Sequence, residues 1–356
     1  MSRVWDIPVE DSTRIRDVRV AAEAACAHAA LDPHATAVTA LVATELASNL
    51  VKHAAGGRIV VNLTDPSDTL APDGTGVQIT SLDHGPGIEN VEAALRDGHT
   101  TTSSLGAGLG TCLRIAHAFD LHSRPGQGTV AVARIGRAPA PRSAHAEPLP
   151  PRTGVRAGGI TTALAHAEHS GDAFSRVRSG PRVTLLLCDG LGHGPKAAEA
   201  STAAVEALRR CADRPPADIL RHLHTALRAT RGAAVGVAQL DEETCRLSFA
   251  GVGNIGARLR TEDTWQSLLS HPGIVGAHFP ATVPVHESDW RPDSLLVLHS
   301  DGLPSRWVPP ADPRLGDHDP AVVAAVVLRD AGSAARPLRD DTCVAVLAPR
   351  PRERRP

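Results

Sequence analysis

Residues 137–153 read RAPAPRSAHAEPLPPRT, and this stretch does most to limit what the chain can fold into. Its prolines cannot donate to a helix or a sheet ladder, and its few apolar residues recur with neither helical nor strand periodicity. The composition predicts a linker between folded units. It divides the 356 residues into about 136 before it and about 200 after, each the size of one domain. A second polar stretch, residues 349–356 (PRPRERRP), predicts a disordered basic tail.

Apolar residues make up 42% of the chain, but aromatics only 2%, with no Tyr, so the cores must be built from Ala, Val, Leu and Ile. Lys and Arg number 37 against 39 Asp and Glu. That balance gives no general attraction to nucleic acid or to acidic membranes, and neither is expected as a partner. The six cysteines (Cys26, Cys112, Cys188, Cys211, Cys245 and Cys343) form no CxxC pair, and most lie in apolar patterns where a free Cys acts as a small hydrophobe. The start, MSRVWDIPVEDSTRIRD, carries charges where a signal peptide needs an apolar core. Apolar runs such as residues 183–188 are too short to cross a bilayer. A cytoplasmic protein is expected.

Before the linker, apolar spacing predicts helices over 13–31 and 34–54, strands over 58–63 and 76–81, a helix over 110–119, and strands over 120–124 and 128–135. After it, strands are predicted over 154–164, 174–179, 182–188, 233–241, 246–252, 255–260, 294–299 and 343–348. Helices are predicted over 196–212, 216–229 and 319–330. The pattern is α+β in both parts, the second a β-sandwich flanked by helices.

Three segments of the first part can be read together. The helix ELASNLVKHA places Glu45, Asn49 and Lys52 or His53 three or four residues apart, on one face. An acid, an amide and a cation there could activate a hydroxyl, ligate Mg²⁺ and touch phosphate. By itself this spacing is more often a solvated helix face. Asp83-His84-Gly85-Pro86-Gly87-Ile88 follows an apolar strand; its Asp can accept from an adenine amino group, although DxGPG is also good turn chemistry. The stretch SSLGAGLGT, with Gly106, Gly108 and Gly110, opens a helix and offers backbone N–H groups to phosphate. Its GxGxG spacing is not the dinucleotide fingerprint.

In this order the three segments resemble the GHKL ATPase superfamily, and more narrowly its serine-kinase and anti-sigma (RsbT/RsbW) branch. The resemblance implies a Bergerat-type α/β sandwich over 1–136. It makes Glu45 the catalytic base, Asn49 the Mg²⁺ ligand and Asp83 the adenine contact, with Gly85 and Gly87 beside the base. TTTSSLGAGLG resembles the ATP lid, and SRPGQGT with Thr129 the closing strand pair. ATP and Mg²⁺ are the implied ligands, with Lys52, Gly106, Gly108, Gly110 and Thr129 in the nucleotide site. No phosphoacceptor His on a helix pair is evident, which argues against a histidine kinase.

The second part carries four acidic landmarks: Gly171-Asp172, Asp189-Gly190, Asp301-Gly302 and Asp340-Asp341. Asp189 and Asp301 end the apolar runs VTLLLCDG and SLLVLHSDG. A lone Asp-Gly after a strand is usually a turn. Four such sites at strand ends can instead converge on one sandwich edge and hold hard divalent ions that prefer oxygen. Two ions there would polarise a phosphoryl oxygen and acidify a water that attacks phosphorus. The histidines show no zinc spacing; His193, inside DGLGHG, is the one singled out.

HSGDAF, CDGLGHG, HSDGL and RDDTCVAVL resemble, in order, the PPM-type phosphatases, specifically their SpoIIE/RsbX branch. The resemblance implies an αββα sandwich over 154–348 and Mn²⁺- or Mg²⁺-dependent hydrolysis of phosphoserine or phosphothreonine on a protein. It makes Asp172 and Asp189 metal ligands, Asp189 the bridge, and Gly190 a carbonyl donor. Asp301 and either Asp340 or Asp341 complete the second environment. The chain departs from many relatives in having Ser175 three residues after the Gly-Asp pair.

Together the two resemblances imply a phosphatase fused to an ATP-binding, serine-kinase-like domain in a partner-switching pathway. A phosphorylated STAS-domain protein, of the anti-sigma antagonist or stressosome type, is the implied partner, with a sigma factor a further one. Two other readings stay open: a nucleotide sensor that gates the phosphatase, and a sequestering module without chemistry.

Overall fold

The computed structural model describes residues 3–64, 75–96, 108–136, 154–164, 167–262, 264–304, 306–332 and 340–350. The linker and Gly106 lie outside the described residues. The chain divides into two units, Val4–Glu147 and Pro148–Pro356, the latter with Met1–Arg3. Both are α+β.

The first unit runs β1 (Val4–Val9), α1 (Arg14–His28), α2 (Pro33–His53), β2 (Gly57–Leu63), β3 (Val77–Leu82), α3 (Val91–Leu95), α4 (Gly108–Ile115), β4 (Ala118–Arg124) and β5 (Gly128–Ile135). Its strands form one antiparallel sheet in the order β1-β2-β3-β5-β4. Asp32 caps α2 by accepting from Ala35 N at 2.9 Å, and Pro33 pre-sets the first turn. Val42, Leu46 and Leu50 of α2 and Val18, Ala22 and Ala25 of α1 pack with Ile59, Val61, Ile79 and Ala133 of the sheet. With few aromatics, small side chains fill this core.

Two elements here escape the sequence reading. In β1 (VWDIPV) a Pro and an acid mask the alternation, and the strand exists because it pairs with β2, where Arg58 bonds the buried Asp6 carboxylate. The short α3 is capped by Asn90, which accepts from Ala93 N. The predicted helix over 110–119 is corrected: α4 starts at Gly108 and ends at Ile115. Ala118 and Phe119 belong to β4, because pairing with Arg134 and Ala133 claims their backbone.

The second unit runs β6 (Val155–Thr162), β7 (Asp172–Ser179), β8 (Arg182–Gly190), α5 (Pro195–Leu208), α6 (Pro216–Ala226), β9 (Ala233–Asp241), β10 (Arg246–Val252), β11 (Gly256–Thr261), β12 (Thr264–Leu268), β13 (His286–Asp289), β14 (Leu295–His299), α7 (Pro320–Ala331) and β15 (Thr342–Pro349). Two five-stranded antiparallel sheets result, β13-β10-β9-β8-β7 and β12-β11-β14-β15-β6. The apolar run of β8 is explained by burial on both faces. Leu185 and Leu187 meet Phe249, Leu296, Leu298 and Leu347 between the sheets, whereas Leu186 and Cys188 face Ala204, Leu208, Ile219 and Leu220 of α5 and α6. Helix α7 packs on β6 and β15. The layering is αββα.

The tail expected over 349–356 is corrected at its start, where Pro349 pairs with Val155 and Arg350 N donates to Gly154 O at 2.9 Å; residues 351–356 lie outside the described residues. All six cysteines are free, and only Cys245 is exposed. No helix among the described residues is long and apolar enough to cross a membrane.

Candidate functional site

In the first unit, α2 carries Glu45 and Asn49, both half-buried, and the exposed Lys52 near its C-terminus. Helix α4 opens against this face: a Cβ at Gly108 would lie 3.4 Å from Asn49 Oδ1 and 3.8 Å from Glu45 Oε2. Gly110 is buried in the same turn. Among the described residues, Asn49 Nδ2 is buried with no hydrogen-bond partner. A buried amide donor without an acceptor is costly, so this atom suits an oxygen from a bound group.

Asp83 follows β3 and is buried. Its Oδ1 accepts from Gly85 N at 2.8 Å and Thr129 N at 3.0 Å, which fixes the carboxyl between loop and β5. Thr129 Oγ1 lies 2.8 Å from Ser123 Oγ, which accepts from Ile88 N. Gly87 has φ +73°, and a Cβ there would come within 2.1 Å of Arg124 O. Only glycine lets the loop lie so close to β4. Gly85, Gly87, Asp83 and Thr129 therefore meet at one end of the sheet. Gly106 lies outside the described residues.

In the second unit, strand register assembles the acids. Asp172, the first residue of β7, pairs with Asp189 near the end of β8. Gly190 N donates to Gly171 O at 3.1 Å. A Cβ at Gly190 would fall 2.2 Å from Ala197 O, so glycine is what lets α5 close over the strand end. Asp301 follows β14, where its Oδ2 accepts from Asn254 Nδ2. Asp340 and Asp341 precede β15.

Asp340 and Asp341 differ sharply. Asp341 is 4% exposed; its Oδ1 accepts from Leu164 N at 2.7 Å and its Oδ2 from Gly171 N at 2.5 Å. Asp340 is exposed, and its Oδ1 accepts from Asp341 N at 2.8 Å. Asp341 ties the backbone that presents Asp172, while Asp340 is exposed and lies near enough to Asp189 and Asp301 to raise both.

The carboxylates are close enough to act on one another's charge. Burial and then Asp189 push Asp172 well above the usual carboxylate range, and among the described residues Asp172 Oδ2 is buried without a partner. Asp189 is pushed up to about 7, first by burial and then by Asp301 and Asp340. Partial burial and Asp340 raise Asp301. Among the described residues no three Asp, Glu, His or Cys side chains form a ready cage for one ion. The uncompensated charge and the orphaned Asp172 oxygen nonetheless fit divalent cations that take few protein oxygens and keep waters.

Two residues here were not singled out in the sequence. Ser300 Oγ accepts from Cys343 N at 2.9 Å, which ties β14 to β15, and its hydroxyl bears on Asp172, pulling that carboxyl down against the effect of burial. Asn254 orients Asp301 from 47 residues away. The position of Ser300, directly before Asp301 at a strand end, was the one local signal. His193 is exposed in the loop after Gly190, and its charge bears on Asp341.

Comparison with known proteins follows the same division. Residues 9–134 match the family described as Histidine kinase-like ATPase domain, and residues 179–349 match Stage II sporulation protein E (SpoIIE). The SpoIIE match contains Asp189, Gly190, Asp301, Asp340 and Asp341, and begins after Asp172. The chain is similar to serine/threonine-protein kinase RsbT of Bacillus subtilis, 36% identical over 87 residues, covering 24% of this chain and 61% of that protein. It is also similar to phosphoserine phosphatase RsbX of the same organism, 24% identical over 135 residues, covering 37% of this chain and 67% of that protein. A crystal structure of RsbX in complex with magnesium superposes with a TM-score of 0.46 at 19% identity, covering 55% of this chain and 94% of that one. The chain thus resembles a histidine kinase-like ATPase domain over residues 9–134 and Stage II sporulation protein E over residues 179–349.

Proposed function

We propose that the chain is a metal-dependent protein-serine/threonine phosphatase whose first unit binds ATP and Mg²⁺ as a serine-kinase-like domain, acting on a phosphorylated STAS-domain protein. The observation that carries this reading is the meeting of Asp172, Asp189, Asp301 and Asp340 at strand ends, with a buried Asp172 oxygen left unpaired. Similarity to RsbX and RsbT supports the chemistry and the setting.

Asp172, Asp189, Asp301, Asp340 and the Gly190 carbonyl would hold two Mn²⁺ or Mg²⁺ ions. When bound, these supply Lewis-acid polarisation of a phosphoryl oxygen and a water of lowered pKa. The chain's own part is positional. Asp341 and Ser300 hold the strand ends, and Asn254 aims Asp301. In the reaction a water oxygen bonds to phosphorus, the ester P–O bond breaks, and the departing serine oxygen takes a proton. Asp340 rather than Asp341 is assigned as the ligand, because both Asp341 oxygens already accept backbone N–H groups.

In the first unit Asn49 and Lys52 would meet the phosphates and Mg²⁺, Asp83 and Thr129 the adenine, and Glu45 would take the proton from a substrate serine. Labelled ATP, Mg²⁺ and a STAS-domain protein test this half. Transfer of label by wild type and its loss in Glu45→Ala, with ATP still bound, are expected. Binding of ATP without any transfer by wild type would leave a nucleotide-binding module and end the kinase assignment.

A further inference from the structure

Arg231 sits in the turn entering β9, at the same sheet end as Asp189 and Gly190. Register places it there: Gly190 lies opposite Ala233, and Leu191 N donates to Gly232 O at 3.0 Å. Thr230 Oγ1 accepts from Gly232 N at 3.0 Å and donates to Leu227 O at 2.8 Å, so the turn is held from within. The side chain runs against the loop that leaves Gly190. A Cβ at Gly192, where φ is +85°, would come within 3.1 Å of Arg231 Nη1.

This guanidinium is exposed and, among the described residues, has no hydrogen-bond or ion-pair partner. Other basic side chains of the unit behave differently. Arg178 pairs with Glu242, Arg182 with Asp241, Arg221 with Asp218 and Arg246 with Asp289, while Lys196 of α5 pairs with Glu199. Arg231 stands at the sheet end that carries Asp189 and Gly190 and, among the described residues, pairs with none of the acids there.

Charge balance gives that placement a purpose. Four carboxylates facing two divalent ions leave no positive excess, yet a phosphomonoester arrives with a charge of about −1.5 to −2. A cation beside the acids is needed to receive it, and a planar guanidinium can do so with two parallel N–H donors. We propose that Arg231 binds the phosphoryl oxygens of the phosphoserine or phosphothreonine substrate and positions them over the acid cluster. This rests on the phosphatase reading above.

The test compares the full chain, loaded with Mn²⁺, as wild type, Arg231→Ala and Arg231→Lys. Inorganic phosphate binding is read by calorimetry, and kcat and KM on an aryl phosphate by phosphate release. Arg231→Ala should weaken phosphate binding and raise KM by roughly 10- to 100-fold, the worth of a hydrogen bond to a charged group. Arg231→Lys should recover part of both, and Mn²⁺ affinity and Tm should match wild type. Phosphate binding within twofold of wild type in Arg231→Ala would overturn the proposal, as would an equal loss of Mn²⁺ affinity. If wild type binds Mn²⁺ but releases no phosphate from any substrate, the phosphatase reading fails, and the calorimetry still decides Arg231.

Discussion

Burial chiefly, and next the charges of Asp301 and Asp340, push the Asp189 carboxyl up to about 7. An acid whose folded pKa is raised binds its proton more tightly in the native state than in the unfolded chain, where it titrates near about 3.9. Its contribution therefore favours folding at low pH and is lost as pH rises through about 4 to 7. Metal-free wild type should lose stability relative to Asp189→Asn over that range, and Mn²⁺ should raise Tm more at pH 8 than at pH 5.5. Thermal unfolding at both pH values checks this; a Mn²⁺ shift that shrinks as pH rises would contradict it. The neighbouring Asp340 and Asp341 separate binding from architecture. Asp340→Asn should weaken Mn²⁺ binding at nearly unchanged Tm. Asp341→Asn, which disturbs two backbone hydrogen bonds to a buried carboxylate, should cost about 1–3 kcal/mol of stability per bond disrupted. Calorimetric Mn²⁺ titration beside denaturant unfolding distinguishes the two, and a reversed pattern would exchange the roles.

At the scale of elements, the best-marked starts and stops in the sequence are also the energetic ones. Asp32 and Pro33 open α2, and replacing Asp32 with Ala should destabilise the first unit by about 1 kcal/mol. A denaturant midpoint that does not move would show that the cap contributes nothing. Long apolar strands such as β8 and β14 were legible because burial on both faces demands continuous apolar side chains. β1, β12 and β13 were not. They are edge strands whose polar residues, such as Asp6 against Arg58 and Glu287 and Asp289 against Arg246, gain their place only from a partner far along the chain. The same limit applies to the site. Asp172, Asp189, Asp301 and Asp340 announce themselves as acids beside glycine at strand ends or in pairs. Ser300 is marked only by its place directly before Asp301; Asn254 and Arg231 carry no local mark, and only the folded register brings them to the acids.

On the scale of the whole molecule, two units with separate chemistry predict separable losses. Asp189→Asn should abolish phosphate release and leave ATP affinity unchanged, whereas Glu45→Gln should leave both phosphate release and ATP affinity unchanged. Equilibrium binding of a fluorescent ATP analogue beside phosphatase assays tests this; loss of nucleotide binding in Asp189→Asn would contradict it. The most direct test of the central claim uses full-length chain stripped of metal and a phosphoserine-bearing STAS-domain protein, with released phosphate measured before and after Mn²⁺ is added. The account predicts no release from stripped protein, release restored by Mn²⁺ in wild type, and none at any Mn²⁺ concentration in Asp189→Asn. Release that persists without metal, or that survives in Asp189→Asn, would contradict it.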